Sequence, residues 1–208
     1  TTEVYSPGTG GSNNTAFGIN AGDALATNGD SNTVYGAEAA TALSTADRNV
    51  AIGHNAFYQA TTGADDNVAI GYNAMSGGFS SNAIDDCVII GSGAGAGVLT
   101  AAASGSTLVG KAAGAAITSG ERNTAVGYSA LTVEATGDRS TAIGYNSLVA
   151  QTGVDGQANN TAVGHQAGLA ITTGIKNTII GSNAGTNFDA ETDNIFIGYN
   201  VAEGAING

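Results

Sequence analysis

Residues 123–131 read Asn-Thr-Ala-Val-Gly-Tyr-Ser-Ala-Leu. The chain returns to nearly the same words at 140–148 (STAIGYNSL) and 160–168 (NTAVGHQAG). One glycine marks each return: Gly18, Gly36, Gly53, Gly71, Gly91, Gly110, Gly127, Gly144, Gly164, Gly181 and Gly198, eleven units spaced 17–20 residues apart. Repetition at this spacing signals a stack of like units rather than a set of independent motifs.

Each position around the marker glycine has its own rule. Four residues before it stands Asn in eight units, Asn14, Asn32, Asn49, Asn67, Asn123, Asn160, Asn177 and Asn194, with Cys87, Ser106 and Ser140 in the other three. The residue three before is always Thr, Val or Ile, the residue one before is always large and apolar, and the residue three after is Ala in nine units of eleven. β-Branched and aromatic residues at alternate positions predict a strand of about five residues over Asn-Thr-Ala-Val-Gly. Parity separates a bulky face, three and one before the glycine, from a small face, two before it and at the glycine itself.

A unit this short cannot bury such a strand alone. Stacking the units as coils of a parallel β-solenoid solves the problem, with strands in register and identical side chains forming columns. An Asn column satisfies its own amides along the stack, and the glycine marks a tight bend or a close backbone approach. Eleven rungs at about 4.8 Å each predict a rod of roughly 50 Å. Turn chemistry falls before each Asn, in TNGD at 27–30, TTGADD at 61–66, TSGER at 118–122 and TGDR at 136–139. Four of the five basic residues, Arg48, Arg122, Arg139 and Lys176, occupy the one slot immediately before the Asn position. Residues 1–12 read as an N-terminal arm or linker and residues 13–208 as the repeat domain.

Composition narrows the function. The chain has 208 residues, 33 Gly, no Trp and a net charge of −12, with 17 acidic residues against 5 basic ones. Binding to phosphate backbones needs clustered Lys and Arg, so nucleic acid is not an expected partner. An anionic membrane surface is disfavoured equally, and no apolar run approaches the roughly 18 residues of a membrane-spanning helix. Cys87 stands alone, which excludes a disulfide framework. The beginning at Thr1, without Met or a signal-type segment, suggests a processed product or a piece of something longer.

The motif N-T-A-[VI]-G-[YH]-x-A, followed by a T-x-G turn, resembles the repeats of bacteriophage tail fibres and other virion fibre proteins. It is also similar to the head repeats of trimeric autotransporter adhesins, although the present units are longer. In CVIIGSGAG and STLVGKAAG (87–95 and 106–114) the Asn and Tyr are missing. The resemblance covers about residues 13–202. It implies an all-β, left-handed β-roll in a side-by-side homotrimer, located on a virion or cell surface. There it would serve as a structural or adhesive segment that spaces or presents a host-binding region, joined to other virion or fibre components. The alternative is the head of a bacterial trimeric adhesin that binds glycans or matrix. On the residues themselves, the small face would be left as an apolar stripe on a monomer, which points to it as the trimer interface.

No catalytic constellation stands out, and the chain reads as a non-enzyme with no cofactor and no metal. His54 and His165 fall one residue after the glycine, a slot that Tyr72, Tyr128, Tyr145 and Tyr199 fill in other units. These six rings are the candidate ligand-binding residues, because an aromatic face beside polar groups suits a sugar such as a host-surface glycan. The alternative for them is plain packing along the column. The acids Asp189, Glu191 and Asp193, and the pairs Asp65–Asp66 and Asp85–Asp86, match no calcium loop and read as a solvated edge. Thr107, Thr124, Thr141, Thr161 and Thr178 form a column that an ice-binding solenoid would display, but they share a face with Val and Ile and are expected to point inward. Recognition is expected in the longer turns at 76–86, 95–105 and 150–159.

Overall fold

The structure, a computed structural model, describes residues 4–5, 11–25, 29–59, 62–78, 84–152 and 156–203. Eleven strands fill the three residues before each marker glycine: β2 (Thr15–Phe17), β3 (Thr33–Tyr35), β4 (Val50–Ile52), β5 (Val68–Ile70), β6 (Val88–Ile90), β7 (Thr107–Val109), β8 (Thr124–Val126), β9 (Thr141–Ile143), β10 (Thr161–Val163), β11 (Thr178–Ile180) and β12 (Ile195–Ile197). They form one sheet in sequential order, every neighbouring pair parallel and in repeat register. Thr124 lies opposite Thr141, Ala125 opposite Ala142 and Val126 opposite Ile143. The arm adds β1 (Val4–Tyr5), which pairs antiparallel with β2 and covers its outer edge. The fold is a parallel β-solenoid of about ten turns. The described residues include no α-helix, and a single 3-10 turn lies at Ala101–Ala103.

The strands are shorter than the five residues expected. At the glycine the backbone leaves the β region, with φ +137° at Gly127. A Cβ there would stand 2.4 Å from the carbonyl oxygen of Gly144 on the next rung. Any side chain would therefore collide with the neighbouring coil as well as adopt a forbidden backbone conformation.

The two strand faces are assigned the other way round from the expectation. The residue two before the glycine points into the coil: Ala51, Ala69, Ile89, Leu108, Ala125, Ala142, Ala162 and Ile179 are all fully buried. The small face is thus the core and not an exposed stripe. The bulky residues three and one before the glycine face outward, half-buried in most rungs and exposed at Thr15, Thr33, Tyr35, Ile143, Ile180, Ile195 and Ile197. The Thr column points outward with them. The physical reason is width. A coil of 17–20 residues encloses one narrow channel, with room for small side chains from the strand and for what the opposite wall sends to meet them.

That opposite wall explains the variation in the core. The residue four after the glycine also points inward, and in seven rungs its size is inverse to that of the strand residue. Ala51 faces Phe57, Ala69 faces Met75, Ala125 faces Leu131 and Ala142 faces Leu148, whereas Ile89, Leu108 and Ile179 are matched by Gly95, Gly114 and Gly185. A Cβ on Gly114 would come within 2.7 Å of Leu108 Cδ2, and one on Gly95 within 2.9 Å of Ile89 Cδ1. These seven rungs hold one large side chain each, whereas Ala162–Gly168 and Ala16–Gly22 hold none and the space is taken by Leu148 and Ile179 of the neighbouring rungs and by Leu25, which preserves close packing although the sequence differs. Phe57, Met75, Leu131 and Leu148 have φ of 56°, 53°, 53° and 47°, left-handed values that bulky residues adopt only when packing compensates.

The Asn column staples three successive rungs. Asn49 Oδ1 accepts the backbone N–H of Asn67 at 2.9 Å, and Asn49 Nδ2 donates to the carbonyl of Ala64 in the next turn at 2.7 Å and to Asn32 Oδ1 at 3.1 Å. The same pattern recurs at Asn32, Asn67 and Asn177. These amides are buried, so each satisfied bond also avoids the penalty of an orphaned polar group.

Candidate functional site

The slot one residue after the glycine lies on the outside of the coil, and from the third rung on its occupants line up along the rod: His54, Tyr72, Ser92, Lys111, Tyr128, Tyr145, His165, Ser182 and Tyr199. All of these side chains except Ser182 are exposed. The backbone N–H one residue further on donates to the carbonyl of the preceding rung's slot residue, as in Asn146 N to Tyr128 O at 3.0 Å and Gln166 N to Tyr145 O at 2.8 Å. The column is therefore held by main-chain bonds whatever side chain fills it.

Of the six candidate rings, the fold brings five into two stacks. His54 lies on Tyr72, with centroids 5.7 Å apart and an interplanar angle of 20°. Tyr128 lies on Tyr145 at 5.3 Å and 14°, and Tyr145 on His165 at 5.2 Å and 8°. Both faces of Tyr145 are thus covered by rings. Lys111 Nζ covers the other side of the group, 5.7 Å from the Tyr128 centroid, a cation–π contact. The sixth ring, Tyr199, is 75% exposed and joins neither stack. A ring sandwiched between two others offers a ligand only its edge, so the packing reading applies to Tyr145, the middle of the three-ring stack. Open ring faces occur at stack ends and at the unstacked Tyr199. Beside the column, His165 Nδ1 lies 3.4 Å from Asn183 Oδ1, and Asn183 Nδ2 donates to Asn200 Oδ1 at 3.1 Å.

The acidic turns are committed to the backbone. Asp47 Oδ1 accepts the N–H of Asp30 at 2.7 Å, Asp65 Oδ1 that of Asp47 at 2.8 Å, and Asp85 Oδ1 that of Asp65 at 2.9 Å. Arg48 closes the edge, donating from Nε to Asp66 Oδ1 at 2.6 Å and reaching Asp47 and Asp65 at 3.6 Å. The hydrogen bond from Arg48 holds the Asp66 carboxyl below its ordinary range, and Asp66 in turn raises the guanidinium. Near the far end Asp189 accepts a hydrogen bond from the Thr172 hydroxyl, and Glu191 Oε2 accepts the Asp189 N–H at 2.7 Å. No group of three His, Cys, Asp or Glu among the described residues is placed to hold a metal. Cys87 is buried, and desolvation pushes its thiol up to about 11, which makes it a poor nucleophile at neutral pH.

Of the longer turns, 79–83 and 153–155 lie outside the described residues. In the turn at 95–105, Leu99 is buried and Val98 is 53% exposed. One polar cluster was not foreseen. Glu134 and Gln151, each seven residues after its glycine, are fully buried in the slot that Leu25, Leu43, Ile117 and Ile171 fill elsewhere. That break in an apolar column was present in the aligned units as a signal. Comparison with known family models, with curated proteins and with solved structures gave no match to this chain.

Proposed function

We propose that this chain is a non-enzymatic segment of a virion surface fibre, a side-by-side homotrimer that spaces or presents a host-binding region. The observation that carries this reading is the outward strand face. Two columns of Thr, Val, Ile and aromatic residues run the length of eleven strands without one charged side chain. At about 4.8 Å per rung and some 10 Å across, the face covers on the order of 500 Å². That is the upper end of what monomers leave uncovered. A second copy is the fitting occupant, because columns with this rise match their own spacing best and nothing charged on the face has to be desolvated.

Mechanically, the in-register main-chain bonds and the Asn staples favour a stiff rod that resists proteases. A bacterial trimeric adhesin head would share this architecture, and the flanking coding sequence separates the two readings.

Sedimentation equilibrium tests the proposal. The chain has a mass of 20.2 kDa, and the expected species is three times that, 3 × 20.2 = 60.6 kDa. Val126→Lys, on the outward face of β8, is expected to yield a folded monomer. A wild-type protein that is monomeric and quickly digested at micromolar concentration overturns the reading.

A further inference from the structure

The column of rings is interrupted, and we propose that the interruption at Ser182 is a binding slot for one neutral pyranose ring. This deepens the fibre reading and rests on it for its biological setting, although the slot itself is built within a single chain.

The geometry is that of a missing ring. Tyr128, Tyr145 and His165 stack at 5.2–5.3 Å, one ring per rung. The next rung carries Ser182 in the same slot, and the rung after that carries Tyr199. His165 and Tyr199 therefore stand two rungs apart, about 10 Å, with a small hydroxyl between them. That separation accommodates two van der Waals contacts of about 4 to 4.5 Å and the thickness of one puckered ring. A flat aromatic ligand would lie loosely, whereas a pyranose presents C–H bonds to both faces.

The surrounding groups supply the polar side of recognition. Ser182 Oγ at the floor makes no hydrogen bond among the described residues. Asn183 and Asn200 flank the slot, joined to each other at 3.1 Å, and Asn183 is near His165 Nδ1 at 3.4 Å. None of the slot's five side chains, His165, Ser182, Asn183, Tyr199 and Asn200, is a Lys, Arg, Asp or Glu, which favours an uncharged sugar over an acidic one. The other interruption is different. Ser92 lies between Tyr72 and Lys111, so a ring closes it on one side only. It serves as the internal control.

The experiment uses the full chain and four probes: the methyl pyranosides of glucose, galactose, mannose and N-acetylglucosamine. With no Trp in the protein, tyrosine fluorescence reports occupancy, and ligand-observed NMR checks it. At least one probe is expected to bind with a millimolar dissociation constant. Tyr199→Ala should weaken it at least tenfold. Ser182→Tyr, which completes the stack and fills the slot, should do the same while leaving the fold intact by circular dichroism. Ser92→Tyr should leave binding unchanged. If no probe binds, or if Ser182→Tyr binds as well as the wild type, the slot is refuted. Sedimentation of the same samples keeps the two proposals apart: a trimer that binds no sugar refutes the slot alone, and a monomer that binds sugar refutes the fibre alone.

Discussion

The Asn column is broken in two places, and the two breaks are handled differently. At the first, Cys87 and Ser106 replace Asn in consecutive rungs. Each still touches a neighbour, with Cys87 Sγ 3.6 Å from the Ala103 carbonyl oxygen and Ser106 Oγ accepting the N–H of Asn123 at 3.2 Å. The contacts are longer than those they replace, and nothing substitutes for the lost amide. At the second break, Ser140, a side chain from elsewhere in the coil takes the place. Gln151 Nε2 donates to Ser140 Oγ at 2.9 Å and to Glu134 Oε2 at 2.5 Å, while Gln151 Oε1 accepts from Asn160 Nδ2 at 2.9 Å. Glu134 Oε1 then accepts the N–H groups of Thr136 and Gly137. One break is tolerated and the other is rebuilt as a closed polar network, at the cost of two apolar core positions. The difference teaches that what the fold requires at this column is satisfied polar atoms, not asparagine as such.

The largest effect is expected at the rebuilt break. Gln151→Leu restores the apolar character that Ile117 and Ile171 give the same slot, yet it strips partners from Glu134, Ser140 and Asn160 at once. Each buried polar group left short of a partner costs about 1–3 kcal/mol, so the loss is several kcal/mol in all. Urea titration at fixed protein concentration reads this as a lower midpoint at unchanged slope. The double variant Glu134→Leu/Gln151→Leu should recover only part of the loss: no carboxyl is then left short of a partner, but the N–H groups of Thr136 and Gly137 lose their acceptor. A cost for Gln151→Leu of less than about 1 kcal/mol would mean that the network is not what holds this part of the coil.

The next effect belongs to the tolerated break and is a pH dependence. Burial raises the Cys87 thiol from 9.0 to about 11. In the unfolded chain the thiol ionises near its ordinary value, while in the folded chain it stays protonated until higher pH. The stability it contributes is therefore complete below about pH 9 and is lost as pH rises toward 11. The loss is on the order of 3 kcal/mol at most. Cys87→Ser should remove this component from the alkaline limb of a stability profile, and an unchanged limb in the variant would refute the assignment. Sluggish reaction of the native thiol with an alkylating reagent at neutral pH is the companion result.

Much of this was legible in the sequence, for a physical reason. A stack of like units repeats every constraint, so the marker glycine, the β-branched strand and the buried Asn each occur often enough to be seen against the variable residues. Parity located the two strand faces, but not which of them was inside. Bulk was read as core, whereas Thr124 and Val126 face outward around an inward Ala125. The missing quantity was the width of the channel, which depends on what the far wall contributes. The inverse sizes of Ala69 and Met75, or of Leu108 and Gly114, carried that information, but only once both positions are known to meet. The candidate rings were visible as a column, while their stacking, and hence the difference between a covered ring such as Tyr145 and an open one such as Tyr199, depended on coordinates.

The smallest effect distinguishes the two breaks most directly, because one substitution should have opposite signs at the two. At the tolerated break, Cys87→Asn places an amide where only a thiol now reaches toward Ala103. Its Oδ1 can accept the Ser106 N–H as Asn49 Oδ1 accepts that of Asn67, and its Nδ2 can donate to the Ala103 carbonyl. The gain expected is about 1 kcal/mol. At the rebuilt break, Ser140→Asn brings the same amide into a space that Gln151 already fills, and overpacking there costs about 1–3 kcal/mol. Denaturation midpoints of the two variants decide it. Stabilisation at both positions would mean that asparagine itself is preferred in this column and that Gln151 is incidental. Destabilisation at both would mean that each break has been repacked around its present residue. Only a gain at 87 with a loss at 140 fits a column in which the vacant partner matters and the repaired one is already complete.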